Sequence, residues 1–278
     1  MVIDFNPVLV SIGPLAVRWV GVLAVAGLGV AIWLSLHQLW HRRPDRDVAL
    51  AALAWGLPAG LLSARLVYVL GYWNYFLTSS NELWQLNIAG LSLWGGLVGG
   101  GLIFAARLRV KGPRRRRILD AIAPYAALGI AIGRLGQFVD GQGQGLASTL
   151  PWATQYANHL AASPDFGVAR QPAQLYDALV ALALFALLKV LPRSMPAGTR
   201  LATFLFVYGL GRIIIGQVRL DPAFLFGLQI EQLLAIGCVM FGVGYGLYAV
   251  LGSSSAHDAS RESNQAQVAH PKEDTLAA

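Results

Sequence analysis

The chain has 278 residues, of which 56% are hydrophobic and only 13% charged, and its mean hydropathy is positive. This composition excludes a soluble globular domain and indicates an integral membrane protein. The single cysteine, Cys238, lies in an apolar run, which excludes a disulfide framework and a thiolate metal cluster.

Seven apolar runs are each long enough to cross a bilayer, which takes about 20 helical residues. The runs are 17–40, 48–72, 90–108, 118–136, 172–192, 201–219 and 224–251. The sequence therefore predicts an all-α polytopic membrane protein with one seven-span domain over 1–251. It also predicts an interfacial arm at 73–89, an outer loop at 137–171 and a disordered cytoplasmic tail at 252–278.

Basic residues collect in the connections that follow the first, third and fifth spans. The connection at 107–117 alone carries seven of them. Because loops rich in Lys and Arg remain cytoplasmic, the pattern predicts an amino terminus outside and a carboxyl terminus inside. The net charge of +7 is then mainly a topology signal with some attraction to anionic lipid, and we expect no nucleic-acid partner.

A stretch rich in glycines and amides, 133–149, begins where the fourth span reaches its predicted outer end. It contains Arg134. An arginine near hydrocarbon is energetically costly, which makes Arg134 a candidate functional residue. Glycines allow backbone N–H groups to approach a ligand closely. The stretch therefore predicts a pocket for an anionic group.

Two further arginines lie on one face of the sixth span. Arg212 and Arg219 are two helical turns apart, with Arg212 about 10 Å deeper in the membrane. Together with Arg134 they could meet in the outer half of the bundle around an anion. The alternative is that each arginine pairs structurally with a carboxylate such as Asp177 or Asp221.

Several short motifs follow one another along about residues 5–235. They are Ser11-Ile12-Gly13-Pro14 with Arg18-Trp19, Ala64-Arg65-Leu66 with Tyr68, Gly95-Gly96-Leu97, Gly133-Arg134-Leu135-Gly136, Arg170-Gln171-Pro172-Ala173-Gln174-Leu175-Tyr176, Tyr208-Gly209 with Arg212 and Arg219, and Gly227-Leu228 with Gln232. In this order they resemble the motifs of the prolipoprotein diacylglyceryl transferases. The resemblance implies transfer of the diacylglyceryl group of phosphatidylglycerol to the lipobox cysteine thiol of prolipoproteins. It implies a multi-pass protein of the bacterial cytoplasmic (inner) membrane that needs no metal or cofactor.

The chain departs from the family pattern at several polar positions. Val20 replaces a tyrosine, Trp94 a histidine, Gln137 an asparagine, and Gln142 and Gly216 each a glutamate. The cations and glycines are retained while the base-like residues are lost. A second hypothesis is therefore a paralogue that binds phosphatidylglycerol or prolipoproteins without transfer, and a third is a transporter for an amphipathic anion.

Under the transferase hypothesis, Arg134 and Arg212 hold and neutralise the lipid phosphate. A thiol with a free pKa of about 8.5 must lose its proton to attack, and Asp140 is the preferred base, with Asp177 second. The predicted substrate-binding residues are Gln137, Gln142, Gly145, Tyr208, Arg219, Gln174 and Trp94. For Trp94, an interfacial anchor or simple packing are alternatives to a lid over the pocket.

Overall fold

The computed structural model describes residues 1–12, 15–40, 43–78, 81, 90–192 and 194–248. These residues form eight helices: α1 Trp19–Gln38, α2 Arg43–Gly71, α3 Trp73–Thr78, α4 Leu93–Arg107, α5 Gly112–Asp140, α6 Ala173–Val190, α7 Thr199–Gly216 and α8 Ile230–Tyr248. They also form four short strands: β1 Val2–Ile3, β2 Val8–Ile12, β3 Leu15–Arg18 and β4 Gln155–Tyr156.

Six of these helices are long and apolar enough to span a membrane, and α4 is a shorter apolar helix. This result confirms the predicted all-α polytopic membrane protein. The predicted tail at 252–278 lies outside the described residues, as does most of the predicted arm at 73–89, whose first part is α3.

Helix α5 is longer than the predicted span at 118–136, and its ends explain the difference. Pro113 lies in the first turn, where a missing backbone N–H costs nothing. Gly141 ends the helix in the left-handed conformation, with a φ of 86°, and its N–H donates to the carbonyl of Gln137 at 2.9 Å. The helix therefore continues through Arg134 to Asp140.

Helix α5 is the centre of the bundle and packs against α1, α6 and α7, while α2 packs against α4. Glycines bring both pairs of backbones close. A Cβ at Gly27 of α1 would lie only 2.5 Å from the carbonyl oxygen of Gly129, and one at Gly100 of α4 only 2.9 Å from the Cα of Gly60. Small residues at helix contacts are typical of membrane bundles.

Apart from the short α3, the helices alternate in direction along the chain, so one end of the bundle gathers the carboxyl ends of α2, α5 and α7 and the amino ends of α1, α4, α6 and α8. There the Ser92 N–H donates to the Ala64 carbonyl at 3.0 Å, and Arg134 lies 3.3 Å from Asp177. We call this end the cavity end. The basic connection at 107–117 lies at the opposite end.

The predicted outer loop at 137–171 lies at the cavity end and is tied to it by hydrogen bonds. The Arg18 guanidinium donates to the Leu160 carbonyl at 2.8 Å, and the Tyr156 hydroxyl donates to the Phe138 carbonyl. Burial, with some help from Asp140, raises the pKa of the Tyr156 hydroxyl, so it remains a donor. β4 pairs in parallel with β1, and β2 pairs with β3 in a separate antiparallel hairpin.

Candidate active site

A cavity of about 320 Å³ lies at the cavity end, between the end of α2, the start of α4, the last turns of α5, the segment after α7 and the first turn of α8. Its charged lining residues are Arg134, Arg219, Asp221 and Glu231. Gln137, Gln142, Ser92 and two tyrosines add polar groups. The cavity therefore combines fixed cations with carboxylates and neutral hydrogen-bonding groups.

Arg134 is only 2% exposed, and its guanidinium is held from several sides. One terminal nitrogen donates to Gln137 Oε1 at 2.7 Å, and the other lies 3.5 Å from the Tyr208 hydroxyl. Its Nε lies 3.3 Å from Asp177 Oδ2. Such a rigid, buried cation loses little entropy when an anion binds.

The three arginines meet through two aspartates that lie between them. Asp177 Oδ2 lies 3.3 Å from Arg134 and 3.4 Å from Arg219. Asp221 Oδ2 accepts from Arg219 Nε at 2.7 Å and from Arg212 at 2.9 Å. The sequence leaves two alternatives open, that the arginines meet at one end of the bundle or that each pairs with a carboxylate. The structure shows both, because the arginines gather at one end and also pair with these two aspartates.

Asp221 remains a carboxylate in this network. Burial alone would raise the pKa of its carboxyl, but the positive charges of Arg219 and Arg212 outweigh burial and hold that pKa below its ordinary range. The alternation of charges avoids the repulsion that three neighbouring arginines would otherwise experience.

A second carboxylate, Glu231, contacts Arg212 from the first turn of α8. Its Oε2 lies 2.7 Å from Arg212, and its Oε1 accepts a hydrogen bond from Ser92 Oγ at 2.7 Å. At Gly216, where the family resemblance predicts a glutamate, a Cβ would lie 2.4 Å from Gln232 Nε2. The acid beside Arg212 thus comes from α8 instead of α7.

Four of the predicted site residues line the cavity: Arg134, Gln137, Gln142 and Arg219. Arg212 is wholly buried and lies one layer behind it, in contact with Asp221 and Glu231. It therefore acts on the cavity through those two carboxylates.

Asp140, the preferred base from sequence, is wholly buried and does not line the cavity. Its Oδ1 accepts from Arg18 Nε at 2.7 Å, and its Oδ2 accepts from Gln142 Nε2 at 2.7 Å. The carboxylate thereby holds Gln142 at the cavity wall. Asp140 does not lie among the three arginines Arg134, Arg212 and Arg219.

The remaining predicted residues support the site from behind. Trp94 is 1% exposed and stacks on Tyr208, with ring centroids 5.1 Å apart, so it is a packing residue and not an interfacial anchor. Gln174 is wholly buried, and its amide has no hydrogen-bond partner among the described residues. Gly145 donates its N–H to the Gln171 carbonyl at 2.8 Å, which leaves that N–H unable to bind a ligand.

Sequence reasoning did not assign Asp221, Glu231, Ser92 or Tyr72 to the site. Glu231 stands out as an acid within an apolar run, and Asp221 follows Arg219 by two residues. These signals alone do not reveal that the start of α8 folds onto the end of α7. Burial and the nearby Asp221 raise the pKa of the Tyr72 hydroxyl, so it is a neutral group of the cavity wall.

Within the described ranges, no group of His, Cys, Asp or Glu is arranged to hold a metal ion.

The fold and the site together define a polytopic membrane protein with an arginine-lined cavity at one end of its bundle. The sequence pattern of the prolipoprotein diacylglyceryl transferases matches residues 7–248. The chain therefore belongs to the prolipoprotein diacylglyceryl transferase family, and it is a transferase of lipoprotein biosynthesis.

Relatives of similar length support this assignment. The chain is 31% identical over 252 residues to a protein of Streptococcus sanguinis, covering 87% of this chain and 95% of the relative. It is 28% identical over 242 residues to a protein of Streptococcus uberis (86% and 93%) and 27% identical over 252 residues to one of Listeria welshimeri (87% and 89%). All three are named phosphatidylglycerol–prolipoprotein diacylglyceryl transferase, and the resemblance seen in the motifs is confirmed.

Proposed function

We propose that the protein transfers the diacylglyceryl group of phosphatidylglycerol to the thiol of the lipobox cysteine in prolipoproteins. The observation that carries this proposal is the placement of Arg134 and Arg219 on the wall of one cavity. Its volume of about 320 Å³ is within the usual range for small-ligand sites.

The chemistry explains why fixed cations are needed. When the thiol sulfur attacks the lipid, the glycerol phosphate leaves as an anion, and arginine N–H groups stabilise the charge that develops on it. We assign this role to Arg134 and Arg219. Arg212 positions Asp221 and Glu231, while Gln137 and Gln142 face the headgroup with amide donors and acceptors.

Asp140 is assigned a positioning role. Its two oxygens are occupied by Arg18 and Gln142, at 2.7 Å each, and it has no surface in the cavity. It fixes Gln142 toward the headgroup and joins the start of α1 to the end of α5.

The proposal places the cavity in the outer leaflet of the bacterial cytoplasmic membrane, with the amino terminus outside. This placement is supported by the basic connection at 107–117, which lies at the opposite end of the bundle, because loops rich in Lys and Arg remain cytoplasmic. Trp73 and Tyr75 of α3 are each 50% exposed near the cavity end, and such aromatic side chains suit the lipid headgroup region. A lipid substrate would enter laterally on this side.

Transfer is favoured over binding without transfer because the family whose pattern covers residues 7–248 is a family of transferases. The test is to incubate the purified full-length protein in detergent with phosphatidylglycerol and a synthetic lipobox peptide, and to measure the product by mass spectrometry. We expect a diacylglyceryl thioether on the peptide and an equal amount of released glycerol phosphate.

A peptide with serine in place of the lipobox cysteine, and a reaction with phosphatidylethanolamine alone, serve as controls and should give no thioether. Saturable binding of phosphatidylglycerol without any thioether would instead support the module that binds without transfer.

A further inference from the structure

The proposed reaction needs a group that accepts the thiol proton. Three carboxylates, Asp177, Asp221 and Glu231, contact Arg134, Arg212 or Arg219, and Asp140 is the base that the sequence favours. Asp140 and Asp177 are 0% and 1% exposed and do not line the cavity. Asp221 and Glu231 do line it, with 22% and 18% of their side chains exposed. Within the described ranges, a thiol entering the cavity can therefore reach only these two carboxylates.

The two accessible carboxylates differ in their partners. Asp221 lies between Arg219 and Arg212 and accepts hydrogen bonds from both. Two adjacent guanidinium groups stabilise its anion strongly, which makes it a poor proton acceptor. Asp221 is better suited to hold the arginines in place.

Glu231 has a weaker set of partners. One oxygen lies 2.7 Å from Arg212, and the other accepts from the neutral hydroxyl of Ser92 at 2.7 Å. Oε2 is buried against Arg212, whereas an ionised carboxylate has about four lone-pair directions, so Oε1 keeps capacity for a further hydrogen bond beside the one from Ser92. Ser92 is the N-cap of α4, and its own backbone N–H is bound to Ala64, so the hydroxyl is fixed in place.

Glu231 also shares the cavity with the proposed phosphate ligands Arg134 and Arg219. A nucleophile bound at Glu231 and a phosphate bound at those arginines would lie side by side in one cavity of about 320 Å³. This arrangement is the one that general-base catalysis of an attack on a phosphate ester requires, because base, nucleophile and leaving group must be within reach of one another.

We propose that Glu231 is the catalytic base that accepts the proton of the lipobox cysteine thiol. This inference rests on the function proposed above. The S–H bond breaks and the proton moves to the Glu231 carboxylate. The thiolate then forms a C–S bond to the terminal glycerol carbon of the diacylglyceryl group, whose C–O bond to phosphate breaks. Glycerol phosphate leaves with that electron pair and takes the proton from Glu231, which restores the carboxylate.

The electrostatic surroundings of Glu231 come from every element packed against it. The facing groups are Arg212 of α7, Arg219 and Asp221 after α7, Arg134 of α5, Ser92 before α4, and Tyr68 and Tyr72 at the end of α2. The pH test uses the lipobox thiol of the peptide, whose free pKa is about 8.5.

The experiment compares the wild type with Glu231→Gln, Glu231→Asp and the matched control Asp45→Asn. Asp45 pairs with Arg114 at the opposite end of the bundle, so its change removes a carboxylate without touching the cavity. Initial rates of thioether formation would be measured from pH 7 to pH 9 with purified full-length protein, phosphatidylglycerol and the lipobox peptide.

We expect Glu231→Gln to lower kcat at pH 7 by about 100-fold or more, with the KM for phosphatidylglycerol within about threefold of the wild type. The deficit should shrink by about tenfold or more at pH 9, because the fraction of free thiolate rises from about 3% to about 75% over this range. Glu231→Asp should recover part of kcat, and Asp45→Asn should match the wild type.

Three outcomes would overturn the assignment. Glu231→Gln could keep kcat within threefold at pH 7, it could lose the same factor at pH 7 and pH 9, or its loss could appear in KM alone. The last two indicate that Glu231 only holds Arg212. A wild type that forms no thioether would overturn the proposed function and this inference together, whereas failure of the variant test in an active wild type overturns this inference alone.

Discussion

Arg134 is the residue on which binding of the lipid phosphate depends most directly. Its guanidinium uses three different nitrogens to contact Gln137, Tyr208 and Asp177, at 2.7, 3.5 and 3.3 Å. A lysine would supply the charge but not this planar arrangement of donors. The geometry of arginine, beyond its charge, is therefore what the site uses.

We predict that Arg134→Lys lowers kcat/KM for phosphatidylglycerol by about 100-fold or more, in the range found when one donor to a developing oxyanion is removed. The measurement is the thioether assay with purified protein. Arg107→Lys is the control, because Arg107 lies over the Trp55 ring at the other end of the bundle, 4.1 Å from its centroid. Equal activity of Arg134→Lys and the wild type would contradict the assigned role.

At the residue scale the sequence predicted the cations better than the acids. An arginine beside an apolar run is costly, which marks Arg134 and Arg219 in the sequence, and both line the cavity. The sequence favours Asp140 as a base because it follows Arg134 closely along the chain. The structure pairs it with Arg18 of a different element, 122 positions away, and that contact cannot be read from spacing.

At the scale of elements, the contact between α2 and α4 positions Ser92 and hence Glu231. Gly100 illustrates how closely the two helices approach, since an added Cβ would lie 2.9 Å from the Cα of Gly60 and 3.0 Å from the carbonyl oxygen of Gly56. Both are backbone atoms, which cannot rotate away as a flexible side chain does. The neighbouring Gly101 has nothing within 4 Å of its Cβ position.

We predict that Gly100→Ala lowers the free energy of unfolding by about 1–3 kcal/mol, because the two helices must separate. Gly101→Ala should leave it unchanged or raise it by up to about 1 kcal/mol, since alanine forms helix better than glycine. Thermal unfolding of both variants in the same detergent checks the pair. The same midpoint for both would show that the helices tolerate a methyl group at this contact.

At the scale of the whole molecule, the separation of the two ends follows from alternating helix directions. Basic residues of 107–117 lie at one end, and the arginine cavity lies at the other. The charge distribution predicts that the first end faces the cytoplasm. The cavity would then face the leaflet in which secreted prolipoproteins arrive.

We predict that a cysteine introduced at Thr149, in the loop at the cavity end, reacts with a membrane-impermeant maleimide added to intact cells. A cysteine at Arg109, in the basic connection, should react only after the membrane is permeabilised. Both positions are exposed in the structure, so a lack of labelling at either one cannot be attributed to burial. The unmodified protein, whose one cysteine is Cys238 in α8, provides the background. The reverse labelling pattern would contradict the predicted orientation.

The amino-acid sequence alone specifies the class of protein, the apolar spans, the family and the arginines of the site. Each of these follows from local composition or from short motifs, because a helix in a membrane satisfies its own backbone and its limits depend on nearby residues. Which acid faces which arginine depends on how the elements pack in the folded protein. Gly216 lies against Gln232, Arg212 contacts Glu231, and Asp140 contacts Arg18, and each of these contacts joins two different elements of the fold. Those contacts, and not the motif positions, determine which carboxylates reach the cavity.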